Sequence, residues 1–202
     1  RDIYYFKQKK AYEMKRGIVG SEICIRDSLQ RCCSSFEKKN PIFTGNPVRK
    51  DIQIMDKSQA KQKFNCKESL PVLAILGGSQ GSIPFNRHFQ NHLNKYIESS
   101  IQILWQCGEK DFADLKALNR HKDIHIFQFT DDMDVFYSAA DLIISRAGAL
   151  ALSEMALLGK AMVLIPLPHS AGDHQTTNAI TFSQTGGAVL VHQTSLASGS
   201  LE

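Results

Sequence analysis

The 202-residue sequence has few of the residues from which small metal-bound or disulfide-bonded proteins are built. Its five cysteines are odd in number and form no Cys-x-x-Cys pair, and its seven histidines include no His-Glu-x-x-His motif. These absences exclude the usual zinc patterns and favour reduced thiols. We therefore predict neither a metal ion nor a cofactor.

Long apolar runs and a strong charge of one sign are also missing. A membrane-spanning helix needs about 20 consecutive apolar residues, and no run in the sequence approaches that length. The 24 basic residues nearly balance the 20 acidic ones, which leaves a net charge of +4. So small an excess is typical of a solvated surface, with phosphate or anionic lipid as the alternative partner and no sign of a nucleic acid.

Hydrophobic residues make up 43% of the sequence, which is enough for a substantial core. Apolar runs of strand length alternate with helical patterns, and this predicts an α/β fold with a Rossmann-like, doubly wound parallel sheet of about six strands. The predicted strands cover residues 70–76, 101–106, 124–129, 142–145, 161–166 and 186–192. Helices are predicted at 84–99, 111–119, 130–137 and 150–158, and a polar loop at 169–178.

The sequence is predicted to divide near residue 38. Residues 1–38 show no sustained periodicity, whereas residues 39–202 carry the α/β pattern, preceded by a short strand at 42–44 and a turn at 45–47. No helical pattern follows the last predicted strand, although an edge strand normally needs a covering helix. We therefore expect the domain to be truncated at its C-terminal end.

The segment Gly77–Ser82, GGSQGS, follows the first strand of the predicted sheet. Glycines permit close backbone approach, and the next helix would point its N–H groups at the turn, so phosphate binding and a tight packing turn are both open. The segment also matches the Gly-x-Ser-x-Gly pattern of hydrolases, with Ser79 as nucleophile. A hydrolase would need an acid and a histidine, for which the sequence offers Asp141 or Asp173 and His174 or His192.

A second glycine turn joins the strand at 142–145 to a helix. Gly148 marks the turn, and Glu154 follows about one and a half helical turns later, where its carboxylate could accept hydrogen bonds from two ribose hydroxyls. A solvated helix glutamate is the alternative. His174, Gln175 and Asn178 could likewise recognise sugar hydroxyls or belong to a polar surface loop.

Five motifs, taken together, resemble the C-terminal domain of the MurG family of bacterial glycosyltransferases. They are GNPVR at 45–49, GGSQGS at 77–82, FTDDM at 129–133, SRAGALALSE at 145–154 and DHQTTNA at 173–179. The resemblance covers roughly residues 40–193. It implies a GT-B architecture, in which two Rossmann-like domains face a cleft and the C-terminal one holds the nucleotide-sugar donor.

The resemblance also implies a role for each matching residue in binding UDP-N-acetylglucosamine. The glycine-rich turn would approach the diphosphate and sugar, the FTDDM segment would line the uracil pocket, and Glu154 would bind the ribose hydroxyls. The second turn would lie against the nucleotide, and the DHQTTNA segment would read the sugar. The implied residues are Ser79, Gln80, Phe129, Thr130, Arg146, Gly148, Ala149, Leu150, Glu154, His174, Gln175 and Asn178.

The implied reaction is an inverting transfer of N-acetylglucosamine to undecaprenyl-pyrophosphoryl-N-acetylmuramoyl-pentapeptide in peptidoglycan synthesis, at the cytoplasmic face of the bacterial membrane. The family's N-terminal domain, which carries the acceptor site, the contact with the anionic membrane surface and the expected base, has no counterpart in residues 1–35. We therefore expect a donor-binding part that is inactive alone. The alternatives are a non-catalytic UDP-sugar-binding subunit that needs a partner and a related diacylglycerol glycosyltransferase.

Overall fold

The computed structural model describes residues 48–49, 52–170 and 173–198, and this part of the chain alternates strands with helices. The strands are β1 (Val72–Leu76), β2 (Gln102–Gln106), β3 (Ile124–Phe127), β4 (Leu142–Ser145), β5 (Ala161–Leu164) and β6 (Ala188–Leu190). The α-helices are α1 (Lys57–Lys63), α2 (Ile83–Glu98), α3 (Glu109–Leu115), α4 (Met133–Ala139), α5 (Ala149–Leu157) and α6 (His174–Gln184). Two 3-10 helices, Lys116–Arg120 and Gln193–Ser198, follow α3 and β6.

All six strands are parallel and form one sheet in the order β3-β2-β1-β4-β5-β6. The chain therefore winds outward from β1 to β3, returns to the centre, and winds outward again from β4 to β6. Adjacent strands β1 and β4 begin the two halves, and Leu73 is paired with Leu142 in their register. The predicted doubly wound parallel sheet is confirmed, with its topological switch point between β1 and β4.

Both faces of the sheet are covered, because every residue of β1 and β2 is buried and side chains alternate between the faces. Ala74 and Leu104 face a cluster that includes residues of α4 and α5. Leu73 and Trp105 face a second cluster that includes residues of α2. Crossover helices on both faces explain why the central strands are continuous apolar runs.

The strand predictions are confirmed with small shifts at their ends. The strand at 142–145 has the predicted bounds, whereas β3 ends at Phe127 and leaves Phe129 in the loop that follows. The helix predicted at 130–137 begins at Met133 and ends at Ala139. Asp132 precedes it, and its side chain makes no capping hydrogen bond with the described residues. The predictions at 42–44, 45–47 and 1–38 fall outside the described residues.

The polar loop predicted at 169–178 is wrong in its second half, because α6 begins at His174. Asp173, with a left-handed φ of 52°, stands before this helix, and its side chain accepts a hydrogen bond from the Thr176 hydroxyl. Ala179 is buried in the core cluster against which Phe182 also packs. Asn178 and Ala179 are both buried on this helix, whereas Ile180 is 44% exposed, so burial does not follow polarity here. The density of polar residues therefore concealed the helix.

A short helical segment follows the last strand, whereas the expected truncation of the domain stays a prediction. After β6 the chain forms the 3-10 helix Gln193–Ser198, and Leu196 is buried in the same cluster as α2. The backbone carbonyl of Leu196 accepts a hydrogen bond from Nδ1 of His88, 2.9 Å away. A 3-10 helix has no 3.6-residue periodicity, which is why the sequence pattern did not reveal it. No helix among the described residues is long and apolar enough to cross a membrane.

We expect Gly81→Ala to lower the free energy of unfolding by more than about 2 kcal/mol, through left-handed strain and overpacking together. Gly81 has a φ of 77°, and a Cβ there would overlap with the carbonyl oxygen of Cys107. Gly186, with a φ of 79° and no atom within 4 Å of an added Cβ, is the matched control. Urea unfolding should show a clearly smaller loss for Gly186→Ala, and equal losses would contradict the packing argument.

We also expect stability to fall as the pH drops below about 6.5, where an unfolded histidine takes up a proton. Burial lowers the pKa of His88, and the nearby His92 and Lys95 lower it further. The folded protein therefore resists a proton that the unfolded chain accepts, so stability is complete above this pH and declines towards the folded pKa. His88→Gln should reduce this decline in thermal unfolding between pH 7.5 and 5.5; an unaltered pH profile would contradict it.

Candidate functional site

The candidate site lies at the carboxyl edge of the sheet, where β1 and β4 lie side by side. The turn Gly77–Ser82 leaves β1 there, and the turn Arg146–Gly148 leaves β4 next to it. Connections on either side of a switch point diverge, and so leave a crevice between them. The two glycine-containing turns predicted from the sequence are thus neighbours in space.

The first turn presents Ser79 and Gln80 at an exposed tip. The backbone N–H of Gly81 donates to the carbonyl of Gly78 at 3.0 Å, and Gly78 has a φ of 92°. Gly81 and Gly108 allow this turn to lie directly against the turn after β2, because a Cβ at Gly108 would overlap with the Gln80 carbonyl. The glycines therefore fix where the tip lies at the edge of the sheet.

The second turn leads directly into α5. Gly148 precedes the helix with a φ of −71° and a ψ of 134°, which other residues adopt freely, so the backbone of this turn does not itself require glycine. An added Cβ at Gly148 would have no atom within 4 Å. Ala149 is half-buried and Leu150 is exposed. A glycine here leaves open space beside the positive end of the helix dipole.

Arg146 faces the protein interior and connects four segments. Its guanidinium donates to the carbonyls of Ile165 and Pro166, each at 3.1 Å, to Ser82 Oγ at 2.8 Å and to Gln193 Oε1 at 2.6 Å. It also lies over the ring of Phe85, 4.5 Å from its centre. Burial lowers the pKa of Arg146 to about 10. The resemblance implies that Arg146 lies against the nucleotide, and this stays a prediction. In the structure its guanidinium bonds to the surrounding loops.

Glu154 is buried on α5 and has protein partners for both carboxylate oxygens. Arg49 donates from Nε to Oε1 at 3.0 Å, and the Tyr137 hydroxyl donates to Oε2 at 3.2 Å. Burial, and then the carboxylate of Glu154, raise the pKa of Tyr137, which keeps its hydroxyl protonated as the donor. Each carboxylate oxygen can accept a further hydrogen bond. A solvated glutamate, the alternative from the sequence, is excluded by this burial.

The loop after β3 brings the predicted base-binding residues to the same edge. Phe129 is exposed over 53% of its surface, and the backbone N–H of Thr130 donates to Gln106 Oε1 at 3.2 Å. The Gln106 amide donates in turn to the carbonyl of Gly78, at 3.3 Å. Gln106 thereby connects this loop to the glycine-rich turn.

The predicted sugar-reading residues occupy the first turns of α6. Gln175 accepts from the backbone N–H of Leu167 at 2.9 Å, and Asn178 donates to the carbonyl of Ala147 at 3.1 Å. His174 is half-buried beside them, whereas Asn178 is only 2% exposed. These bonds fasten α6 to the loops after β4 and β5, so the three residues are brought to the edge at which the turns lie.

Sequence reasoning assigned no role to several residues that build this site. Arg49 could have been found because it ends the GNPVR motif, and Gln106 because it is a polar residue at the end of an apolar strand. Ser82 ends the GGSQGS motif, and Tyr137 had no signal beyond its proximity to the FTDDM motif. Only the fold shows that Tyr137 lies beside Glu154 and Ser82 beside Arg146.

The structure excludes Asp141, one of the two candidate acids, from a hydrolase site with Ser79. Asp141 precedes β4 and so lies at the amino edge of the sheet, where it pairs with Lys57 and accepts from the backbone of Val72. Ser79 follows β1 and lies at the opposite edge. Over the ranges 48–49, 52–170 and 173–198, no group of three or more His, Cys, Asp or Glu residues could hold a metal ion.

A family model decides the membership of the chain. The glycosyltransferase family 28 C-terminal domain matches residues 72–202. The chain belongs to this family. The match contains the whole sheet, from β1 to β6, and both glycine turns.

Known proteins agree with this family 28 membership. The chain is 38% identical over 180 residues to a UDP-N-acetylglucosamine--N-acetylmuramyl-(pentapeptide) pyrophosphoryl-undecaprenol N-acetylglucosamine transferase of Flavobacterium psychrophilum, which covers 88% of this chain and 48% of the relative. The crystal structure of MurG from Acinetobacter baumannii superposes with a TM-score of 0.55 and 28% identity, over 78% of this chain and 45% of that one.

The calicheamicin glycosyltransferase CalG4 shares the fold alone, with a TM-score of 0.56 and 15% identity, over 85% of this chain and 38% of that one. The chain spans about half the length of the curated relatives that it matches. Its fold is therefore one Rossmann-like half of a GT-B glycosyltransferase.

We expect Arg146→Lys to lower the free energy of unfolding by about 2 kcal/mol or more, because lysine lacks the fork that reaches several oxygens at once. Exposed Arg87, on α2, provides the control. Arg87→Lys should stay within about 0.5 kcal/mol of the unsubstituted protein in urea unfolding. A loss at Arg146 no larger than at Arg87 would contradict the connecting role.

Proposed function

We propose that the chain is the donor-binding part of an inverting glycosyltransferase that transfers N-acetylglucosamine from UDP-N-acetylglucosamine to undecaprenyl-pyrophosphoryl-N-acetylmuramoyl-pentapeptide. The relatives carry this activity in their names. The observation that carries the proposal is the meeting of two turns at the switch point: the Gly77–Ser82 turn lies beside the N-terminus of α5. Nucleotides bind in this crevice in doubly wound sheets.

The diphosphate would lie between the Ser79–Gln80 tip and the start of α5. Gly148 carries no side chain that could cap the helix, and an added Cβ there meets nothing within 4 Å, so a phosphate can approach the first turn closely. Negative charge grows on the diphosphate as the 4-hydroxyl of the acceptor attacks the anomeric carbon and UDP departs. The fixed dipole of α5 would stabilise that charge in the transition state.

The uridine would extend from α5 towards the loop after β3. Exposed Phe129 and the backbone at Thr130 would line the uracil pocket. Glu154 would accept the ribose hydroxyls with the lone pairs that Arg49 and Tyr137 leave available. Arg49 and Tyr137 hold the carboxylate in place, so the acceptor atoms are oriented before a ligand arrives.

The N-acetylglucosamine would lie near the start of α6. His174, Gln175 and Asn178 are the family-matching residues there, and the bonds of Gln175 and Asn178 to the backbone fix this helix against the edge of the sheet. The acceptor lipid and the base would belong to the other half of a GT-B enzyme. The whole enzyme would act at the cytoplasmic face of the bacterial membrane, held there by an anionic lipid surface.

We expect Glu154→Ala to weaken UDP binding by about 1.5–3 kcal/mol, as for hydrogen bonds to a charged group. Isothermal calorimetry of the 202-residue chain with UDP measures this directly. Glu98→Ala, an exposed position at the end of α2, is the matched control and should leave the affinity unchanged. UDP affinity that is unaffected by Glu154→Ala would contradict the ribose assignment, and no binding of UDP by the unsubstituted chain would contradict the proposed function.

A further inference from the structure

Gln106 occupies the carboxyl end of β2 and is only 3% exposed. Its side chain lies on the same face of the sheet as Leu104, where apolar residues fill the core. A buried primary amide at this position needs partners for both its donor and its acceptor. Those partners come from two different loops.

The amide of Gln106 connects the two segments that the proposed function assigns to opposite ends of the nucleotide. Nε2 donates to the carbonyl of Gly78 at 3.3 Å, and Oε1 accepts from the backbone N–H of Thr130 at 3.2 Å. Gly78 begins the turn whose tip is Ser79 and Gln80, and its carbonyl also accepts the bond that closes this turn. The turn that would bind the diphosphate and the loop that would line the uracil pocket are thus bridged by a single side chain, that of Gln106.

Only a primary amide of this length meets both partners. A glutamate would present an acceptor to the Gly78 carbonyl, and a methionine would leave the two backbone groups without a bond. The amide therefore sets the distance between the Ser79–Gln80 tip and the Thr130 backbone. A ligand that spans both segments depends on that distance, whereas a ligand that touches one of them does not.

We propose that Gln106 is a positioning residue that sets the spacing between the diphosphate-binding turn and the uracil-binding loop, an inference that rests on the proposed function. It would act through these two segments and not through a contact with the donor. Its contribution is to hold the two segments in the bound arrangement before UDP arrives, so that binding pays no free energy for ordering them.

The chain contains a matched control on the same strand. Gln102 is also fully buried, lies on the same face, and uses its amide in the same way: Oε1 accepts from the Lys67 N–H at 2.6 Å, and Nε2 donates to the Lys67 carbonyl at 2.9 Å. It stands four residues earlier, at the amino edge of the sheet and away from the candidate site. Replacing either glutamine by methionine makes the same chemical change at opposite edges.

The test compares UDP with uridine in calorimetry of the 202-residue chain carrying Gln106→Met or Gln102→Met. We expect Gln106→Met to weaken UDP binding about tenfold, the equivalent of one lost hydrogen bond, and to change uridine binding less than about threefold. Gln102→Met should lower the melting temperature by a similar amount and leave both affinities unchanged. Gln106→Asn, which keeps the amide but is one methylene too short, makes the same comparison if Gln106→Met does not fold.

Four outcomes would overturn the inference. An unchanged UDP affinity in the folded Gln106 variants would refute the positioning role while the proposed function stands. An equal loss for UDP and uridine, or an equal loss in Gln102→Met, would show a general destabilisation. Failure of the unsubstituted chain to bind UDP would refute the proposed function and, with it, the inference.

Discussion

The turn Gly77–Ser82 is held from both sides by buried polar side chains, and the arrangement of the whole carboxyl edge depends on it. Gln106 bonds to Gly78 from the β2 side, and Arg146 bonds to Ser82 from the β4 side. Each of the two side chains also bonds to a further loop, so the connections after β1, β3, β5 and β6 form one network. A buried network with its members satisfied is rigid, which suits a site that has to be formed before the ligand binds.

Within this network the motif residues fall into two groups, those that hold the structure in place and those that would contact the donor. Arg146 and Asn178 belong to motifs of the family, yet their side chains bond to backbone within the protein. Ser79 and Gln80 stand at an exposed tip, and Gly148 leaves open space at the helix start. The positions that would contact the donor are therefore supported by neighbours within the same motifs. Each motif thus contains both residues that would bind the ligand and residues that hold the surrounding loops in place.

The site also shows how a buried carboxylate is held in place by its neighbours. The Glu154 carboxylate is buried but paired with Arg49, which offsets the desolvation of its charge, and the Tyr137 hydroxyl orients its second oxygen. Arg49 lies 105 residues earlier in the chain. The GNPVR motif is thus tied to the SRAGALALSE motif by the ion pair between Arg49 and Glu154.

The sequence by itself determined the fold class, because buried parallel strands are continuous apolar runs whose alternation with helices admits few topologies. It also located both glycine turns, since glycine and its neighbours act locally. The tertiary structure alone decided that α6 starts at His174, that Gly148 is not needed for its turn, and that Arg146, Gln106 and Tyr137 connect segments far apart in the chain. Such partners depend on which strand ends become neighbours, and local patterns of residues carry no information on long-range distances.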